Sequence, residues 1–461
     1  MLKFLSKPVK GEDGSISLLL RIALPLIITT SSSSLMQFVD RMFLAWYSAD
    51  TLAACLPSGI MSFAIISFFM GTCGYTSVFI ANYYGQKRYA SLSVALWQGV
   101  LLGALSGVII ACFVPLGNYI ISLSAHAPEI KILEKQYFTI LALFGGFVVV
   151  NNALAAFFSG QGKTAVTMIV NLLGNGLNVF LTYAMIFGKF GFQEQGIRGA
   201  AYSTVISNIV ITAIFLSLIL SPQIRRKFRT GKLFGFNKKF ALRLIKYGLP
   251  NGFGFFMDIF SFSVFAFFTG NIDKISLAAS NIVLTLESVV FMPMLGLALA
   301  NQILMGQYVG KKQLHYGIKS TFNTLKIGSV YVAFMIVCFL FFPDFFVQLF
   351  AGSRDVAGTA MGSVLESARP LLKLLCLFTL GDLAYLTFGD AIKGAGDTKF
   401  HMKAMIAASL FLVIGSYIMV NVLHMSIGRV WFWITAYAWS TGAIMMWRFL
   451  SRRWQGIDIT K

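Results

Sequence analysis

Four carboxylates stand inside long apolar stretches of this chain, at Asp40, Asp258, Glu287 and Asp382, with a fifth, Asp390, near the end of another stretch. An ionisable side chain in hydrocarbon is costly and is kept where it does something. No lysine or arginine in the same stretches offers the deep acids a partner; Arg41 follows Asp40 directly, so on a helix it points elsewhere. An unpaired carboxylate at depth binds a cation or holds a proton. The plain alternative is a carboxyl hydrogen-bonded within a helix bundle.

Asp40 has candidate company. Asn171, Asn175, Asn178 and Thr182 are spaced 4, 3 and 4 apart, which places all four on one helical face. Such a polar stripe does not suit lipid, although interhelical hydrogen bonding alone would account for it. Depth sharpens the grouping. At about 1.5 Å per residue, Asp40 lies roughly 35 Å along its helix, Asn178 and Thr182 about 21 and 27 Å along theirs, and Thr204 about 10 Å from the opposite end of the next. All four can meet in one layer. A carboxylate with amide and hydroxyl oxygens at Asp40, Asn178, Thr182 and Thr204 suits a hard monovalent cation, with Na+ expected at Asp40, Asn178 and Thr204; a proton would need only Asp40.

Asp258, Glu287 and Asp382 form a different set. Each sits about 18 to 25 Å from one end of its helix, near the middle of a bilayer. Phe253, Phe255, Phe256, Phe291, Met292, Met294 and Tyr385 lie around them in sequence. Three acids among aromatic faces and thioethers predict a pocket for flat, positively charged organic molecules.

The elements that carry these residues must be membrane helices. Of 461 residues, 57% are hydrophobic and 12% charged, about half the charge of a soluble domain. Apolar stretches recur to the end of the chain and, with their flanks, reach the roughly 20 residues that span hydrocarbon. Alternating strand-length segments, the mark of a membrane barrel, are absent, and residues 1–15 form no removable signal. The pattern predicts twelve transmembrane helices, the tenth at 368–394. The formal net charge of +20 is distributed unevenly: 25 of the 37 lysines and arginines fall in alternate loops, counting from the N-terminal segment. That asymmetry places both termini in the cytoplasm and explains the charge without nucleic acid. The five cysteines (Cys55, Cys73, Cys112, Cys338, Cys376) are dispersed through apolar spans as packing residues, and the four histidines fall near predicted span ends.

The chain repeats itself. Leu24-Pro25 recurs as Leu249-Pro250 and Tyr84-Gly85-Gln86-Lys87 as Val309-Gly310-Lys311-Lys312, both 225 residues on; Gly160-Gln161-Gly162-Lys163-Thr164 recurs as Gly394-Ala395-Gly396-Asp397-Thr398 after 234, the difference fitting a longer loop over Ala351–Arg369. Nine cationic residues crowd Arg225–Lys246 between the copies. The expected division is a cytoplasmic segment 1–16, a first lobe 17–221 with helices 1–6, a linker 222–240, a second lobe 241–450 with helices 7–12, and a tail 451–461. Six helices per lobe make the repeats parallel, a layout suited to alternating access. Pro25, Pro250 and Pro293 lie inside spans, and Pro25, followed by hydroxyls at Thr29–Ser34, is a natural point for helix bending.

In this order the motifs resemble the multidrug and toxic compound extrusion (MATE) family over essentially the whole chain. They are Leu24-Pro25 with Asp40, the paired Gly-x-Gly-x-Thr elements, Asn178-x-x-x-Thr182, Gly196–Thr204 (GIRGAAYST) and Phe291-Met292-Pro293. The resemblance implies an all-α integral membrane fold of two pseudo-symmetric six-helix bundles. It implies antiport in which organic cations leave as sodium or protons enter. Asp258, Glu287 and Asp382 look like the second-lobe acids of the NorM-like branch, which implies a bacterial inner membrane. One position departs: Thr182 stands where the family usually carries Asp or Asn, so both sodium at Asp40, Asn178 and Thr204 and a proton on Asp40 stay open.

A flippase for lipid-linked oligosaccharides or peptidoglycan precursors, from the same superfamily, is the nearest rival. It would show a basic cavity, whereas the intramembrane charges here are mainly acidic. An intramembrane enzyme would need a nucleophile with its base, or metal-ligand spacing at depth, and neither is visible. The chain is therefore expected to be no enzyme, to need no cofactor, and to act as a monomer whose partners are the bilayer, Na+ or H+, and small organic cations.

Overall fold

A computed structural model of the protein describes residues 12–124, 126–231, 235–348 and 360–460. Twelve long helices carry them: α1 Ile16–Tyr47, α2 Ala49–Gly85, α3 Tyr89–Leu123, α4 Pro128–Ser159, α5 Thr164–Phe187, α6 Ile197–Ile219, α7 Lys238–Gly270, α8 Lys274–Gly310, α9 Leu314–Phe341, α10 Ala360–Gly394, α11 Thr398–Val422 and α12 Ile427–Leu450. The first eleven are long and apolar enough to cross a membrane. The twelfth is as long as α5 but holds four tryptophans, which score low for hydropathy while burying much apolar surface. Caps fix several starts: Ser15 Oγ accepts from Leu18 N–H ahead of α1, and Asp273 accepts from Ser276 ahead of α8.

The tenth helix differs from the sequence reading. Residues 351–359 of the expected loop lie outside the described residues, but 360–369 are helical and α10 begins there rather than at 368. Arg369-Pro370 looks like a boundary in sequence because proline interrupts helical hydrogen bonding. Burial overrides it: Val364, Leu365 and Ala368 are packed into the core, and Arg369 pairs with Asp344 at 2.7 Å.

The helices form two six-helix bundles. The largest hydrophobic core lies wholly within α7–α12 and the residues just after, whereas three others lie chiefly within α1–α6. A further cluster joins them, with Leu19, Ile22 and Ala81 of the first bundle against Leu297, Ile303 and Tyr308 of the second. The seam shows the repeat directly. A methyl on Gly71 would lie 2.7 Å from Gly252 Cα, and one on Gly296 would lie 2.7 Å from Ile27 Cα. A methyl on Gly85 would collide with the Gln307 carbonyl oxygen, and one on Gly310 with that of Asn82. In both cases the second contact is the first one shifted by 225 residues, with the bundles exchanged.

Among the described residues, the hydrogen bonds across the seam gather on one side. Tyr75 donates to Lys393 O (2.8 Å), Asn251 to Gly71 O (2.7 Å), Gln307 to Gly160 O (2.8 Å) and Thr30 to Met292 O (2.9 Å). Beyond Thr30, the described side-chain hydrogen bonds of α1 to other helices go only to its own bundle. The described hydrogen bonds thus join the bundles on the side that holds the chain ends. Both ends add to the closure. Before α1, Gly14 N–H donates to Tyr308 of the second bundle (2.7 Å), Asn323 donates to Gly14 O (2.9 Å), and Lys311 pairs with Asp13 (2.9 Å). Past α12, Ile459 is buried in the core cluster that holds Tyr75, Phe79 and Phe240, its methyl against Gly396, while Arg243 holds Thr460 O.

Candidate functional site

In the first bundle, α1 brings Asp40, α5 brings Asn178 and Thr182, and α6 brings Ser203 and Thr204. Asp40, Asn178 and Thr182 are buried. Only one orientation of the Asn178 amide satisfies its neighbours. Its nitrogen then donates to Asp40 Oδ1 (3.1 Å) and Oδ2 (3.2 Å), and its oxygen accepts from the Thr204 hydroxyl and backbone N–H, both at 3.3 Å. Thr182 donates to Asp40 and lies 2.6 Å from Ser203 Oγ. The four residues singled out in sequence come together, with Ser203 added.

The rest of the polar stripe divides. Asn175 donates to Ser32 Oγ on α1 (2.9 Å), which joins the stripe to the segment after Pro25. Asn171 turns back to Thr167 O of its own helix (2.8 Å). Pro25 itself is inside α1. Thr29 donates to Pro25 O (2.8 Å), and Thr164, from the first Gly-x-Gly-x-Thr element, donates to Ile22 O (2.9 Å). The equivalent hydroxyl in the second copy, Thr398, is buried without a hydrogen-bond partner.

In the second bundle, α7 brings Asp258, α8 Glu287 and α10 Asp382. Tyr385 donates to Asp258 Oδ2 and Tyr437 to Asp258 Oδ1, each at 3.5 Å, long bonds that hold the carboxylate loosely. Asp258 and Glu287 interact electrostatically, as do Glu287 and Asp382. Asp382 is buried, and its Oδ2 has no partner. These three acids, none of them in an ion pair among the described residues, can take up positive charge as protons or as a cation. Asp390 belongs elsewhere, in an ion pair with Lys393 at 2.7 Å.

Of the surrounding aromatic and sulfur side chains, Tyr385 alone bonds an acid. Phe253 packs on Phe256, Phe256 stacks on Phe260, Met294 is in the core, and Met292 contributes its carbonyl to Thr30. Tyr437 went unnoticed because its residue type and position on α12 carry no signal without a neighbour. His401 lies near the start of α11, as its place in the sequence implies, and is 2% exposed, enclosed by α7 and α10. Among the cysteines, Cys112 is exposed while Cys55, Cys73 and Cys376 are buried.

The MatE family model matches residues 25–184 and 250–418, so each bundle carries one copy. The chain is 28% identical to the probable multidrug resistance protein NorM of Thermotoga maritima, over 95% of this chain and 92% of that one. In structure it resembles a MOP superfamily transporter from Pyrococcus furiosus, with a TM-score of 0.85 at 19% identity, covering 98% of this chain and 97% of the other. It also resembles an outward-facing multidrug resistance MATE transporter, with a TM-score of 0.83 at 20% identity over 98% and 99% of the two chains.

Proposed function

The chain belongs to the MatE family, and on that premise we propose that it is a secondary active antiporter that exports organic cations and drugs as Na+ or H+ enters. It is a multi-pass membrane transporter rather than an enzyme. Lobes 17–221 and 241–450, joined by linker 222–240, alternate access to the space between them. With residues 1–16 and 451–461 cytoplasmic and the protein in a bacterial inner membrane, the side away from those segments faces outward. The T. maritima relative, described as a probable multidrug resistance protein, supports the choice of cargo.

The observation that carries the reading is the unlikeness of the two acid sets. Asp40 is bonded by one amide and one hydroxyl, from Asn178 and Thr182, which Thr204 and Ser203 bond in turn, a compact donor set that suits a single small ion. Asp258, Glu287 and Asp382 are spread over three helices with tyrosine hydroxyls, a set that offers distributed charge to a larger cation. The first set is assigned to the coupling ion, the second to cargo.

The Asn178 amide has a part in this. Facing Asp40 with its nitrogen, it stabilises the empty carboxylate. Turned by 180°, it would present its oxygen to a sodium ion held by Asp40, while the Thr204 hydroxyl, able to donate or accept, would serve either orientation. A proton on Asp40 would need no turn, since a neutral carboxyl keeps an acceptor oxygen. Helix α1 then transmits loading through the segment after Pro25, where Thr29, Ser32 and Asn175 already bond.

The test is ethidium efflux from proteoliposomes under an imposed sodium gradient and, separately, an imposed proton gradient. Efflux driven by one and not the other identifies the coupling ion, and a response to neither overturns the antiport reading.

A further inference from the structure

The antiport reading gives no task to the densest basic run of the chain. Arg225, Arg226, Lys227 and Arg229 follow directly on α6. Membrane topology accounts for such a run as charge on the inner face, but a loose loop would supply that charge equally well. Here the run is held in a fixed shape. Residues Pro222–Phe228 form a short helix whose Ile224 and Phe228, one turn apart, are 2% and 1% exposed in a core cluster of the first bundle. Its end is tied down from two sides. Ser93 of α3 donates to Phe228 O and Trp97 to Thr230 O (3.2 Å), while the Thr230 hydroxyl donates to Ile219 O (2.7 Å).

With the apolar pair turned inward, Gln223, Arg225, Arg226 and Lys227 are exposed. Pro222, Gln223, Arg226 and Lys227 line a groove of about 460 Å3. Positive charge is concentrated beside it. The Nζ atoms of Lys227 and Lys163 lie 5.4 and 5.6 Å from the centre of one ring, that of Phe228. Lys163, just before α5, is 5% exposed, and burial followed by the Lys227 charge pushes its ammonium down to about 8. Among the described residues, no ion pair joins an acid to Arg225, Arg226 or Arg229. Cations fixed close together by packing favour an anion between them and the solvent.

The height of the groove selects the anion. Leu220 ends the apolar run of α6 two residues before Pro222 and is 45% exposed. The groove therefore opens where α6 leaves the hydrocarbon, at the level of lipid phosphates, with an apolar surface leading away from it. Two cations and a carboxamide beside a proline and a leucine complement a phosphodiester that carries acyl chains. A free phosphate would use only the polar half.

We propose that the groove at Pro222–Lys227 binds the headgroup of an anionic phospholipid of the inner leaflet, with the phosphate on Arg226 and Lys227 and the acyl chains running along α6 past Leu220. The bound phosphate relieves the repulsion between Lys227 and the buried Lys163 and fastens the start of the linker to the first bundle. The assignment needs the membrane fold and not the antiport reading.

The experiment uses the purified full-length protein in dodecyl maltoside and the fluorescence anisotropy of a phosphatidylglycerol labelled on one acyl chain. Unlabelled dioleoyl-phosphatidylglycerol should displace it at least about tenfold better than dioleoyl-phosphatidylcholine or sn-glycerol 3-phosphate. Arg226→Gln with Lys227→Gln should weaken binding by about 25-fold, at about fivefold per cation. Exchanging the two cations, Arg226→Lys with Lys227→Arg, should restore most of it. Lys238→Gln with Lys239→Gln removes the same charge from exposed positions of the same basic run outside the groove, and should change binding less than about twofold. Equal losses in the two glutamine pairs would reduce the effect to bulk charge and overturn the site. Phosphatidylcholine competing as well as phosphatidylglycerol would overturn it too, and glycerol phosphate competing as well as the lipid would overturn the lipid assignment. If the first glutamine pair elutes as an aggregate, Arg226→Gln alone decides, with about a fivefold loss expected and an unchanged affinity overturning the site.

Discussion

Asn178 on α5 donates its amide nitrogen to both carboxylate oxygens of Asp40 on α1, at 3.1 and 3.2 Å. That contact ties the Asp40 carboxyl to a rotatable dipole. An amide that serves a bare carboxylate in one orientation and a bound cation in the other makes the state of the acid legible to its neighbours.

Asp40→Asn removes the charge and keeps the shape. Ethidium efflux from cells should fall to the background of cells lacking the protein, while the yield and elution volume of the purified variant stay unchanged. Full efflux would remove Asp40 from coupling.

Asp382→Asn should weaken export of cationic dyes several-fold more than export of neutral compounds of similar size, because a buried carboxylate with a free oxygen acts on charge. The comparison is best made by competition against ethidium. Equal losses for both classes would mean that the acid supports the fold rather than the cargo.

Ile459→Asp places a charge in the cluster that holds Tyr75 and Phe240. The tail should detach and the closed side should open more often. A cysteine introduced at Ala81, buried in the seam, should then react with maleimide several-fold faster than in the parent carrying the same cysteine. Unchanged labelling would mean that the tail covers the seam without holding it.

Asp273 caps α8 by accepting from the Ser276 hydroxyl (2.6 Å) and backbone N–H (2.7 Å), and the Ser276 hydroxyl is the main cause of a carboxyl held below its ordinary range. A depressed folded-state value means that the carboxylate's stabilisation is present above the unfolded value, near pH 4, and is lost as pH falls through the folded one. Asp273→Ala should cost about 1 kcal/mol at pH 7 and less at pH 3. Thermal unfolding in detergent checks this, and an equal cost at both values would assign the effect to packing.

Much of this architecture is readable in the chain because it was written twice. The 225-residue offset of Gly85 and Gly310 identifies the halves, and the seam repeats it contact for contact. Depth arithmetic along single helices grouped Asp40 with Asn178, Thr182 and Thr204, since rise per residue is a local property. What escaped depends on which helix lies opposite. Ser203 becomes part of the Asp40 shell only through Thr182, Tyr437 reaches Asp258 from α12, and His401 sits near a helix end yet is covered by two glycines of other helices. Arg369-Pro370 predicts a loop up to that point because arginine and proline are local signals, whereas the burial of Val364, Leu365 and Ala368 that favours helix is tertiary.

The crossing of the chain ends has a practical side. Ile459 and Thr460 are built into the seam rather than trailing from it. A purification tag or fluorescent reporter fused directly behind them would strain the contact they make with the cluster around Tyr75 and Phe240. Transport rates measured on such a fusion would then describe the fusion, so a handle for this protein belongs in an exposed turn such as the one at Phe190–Gly191.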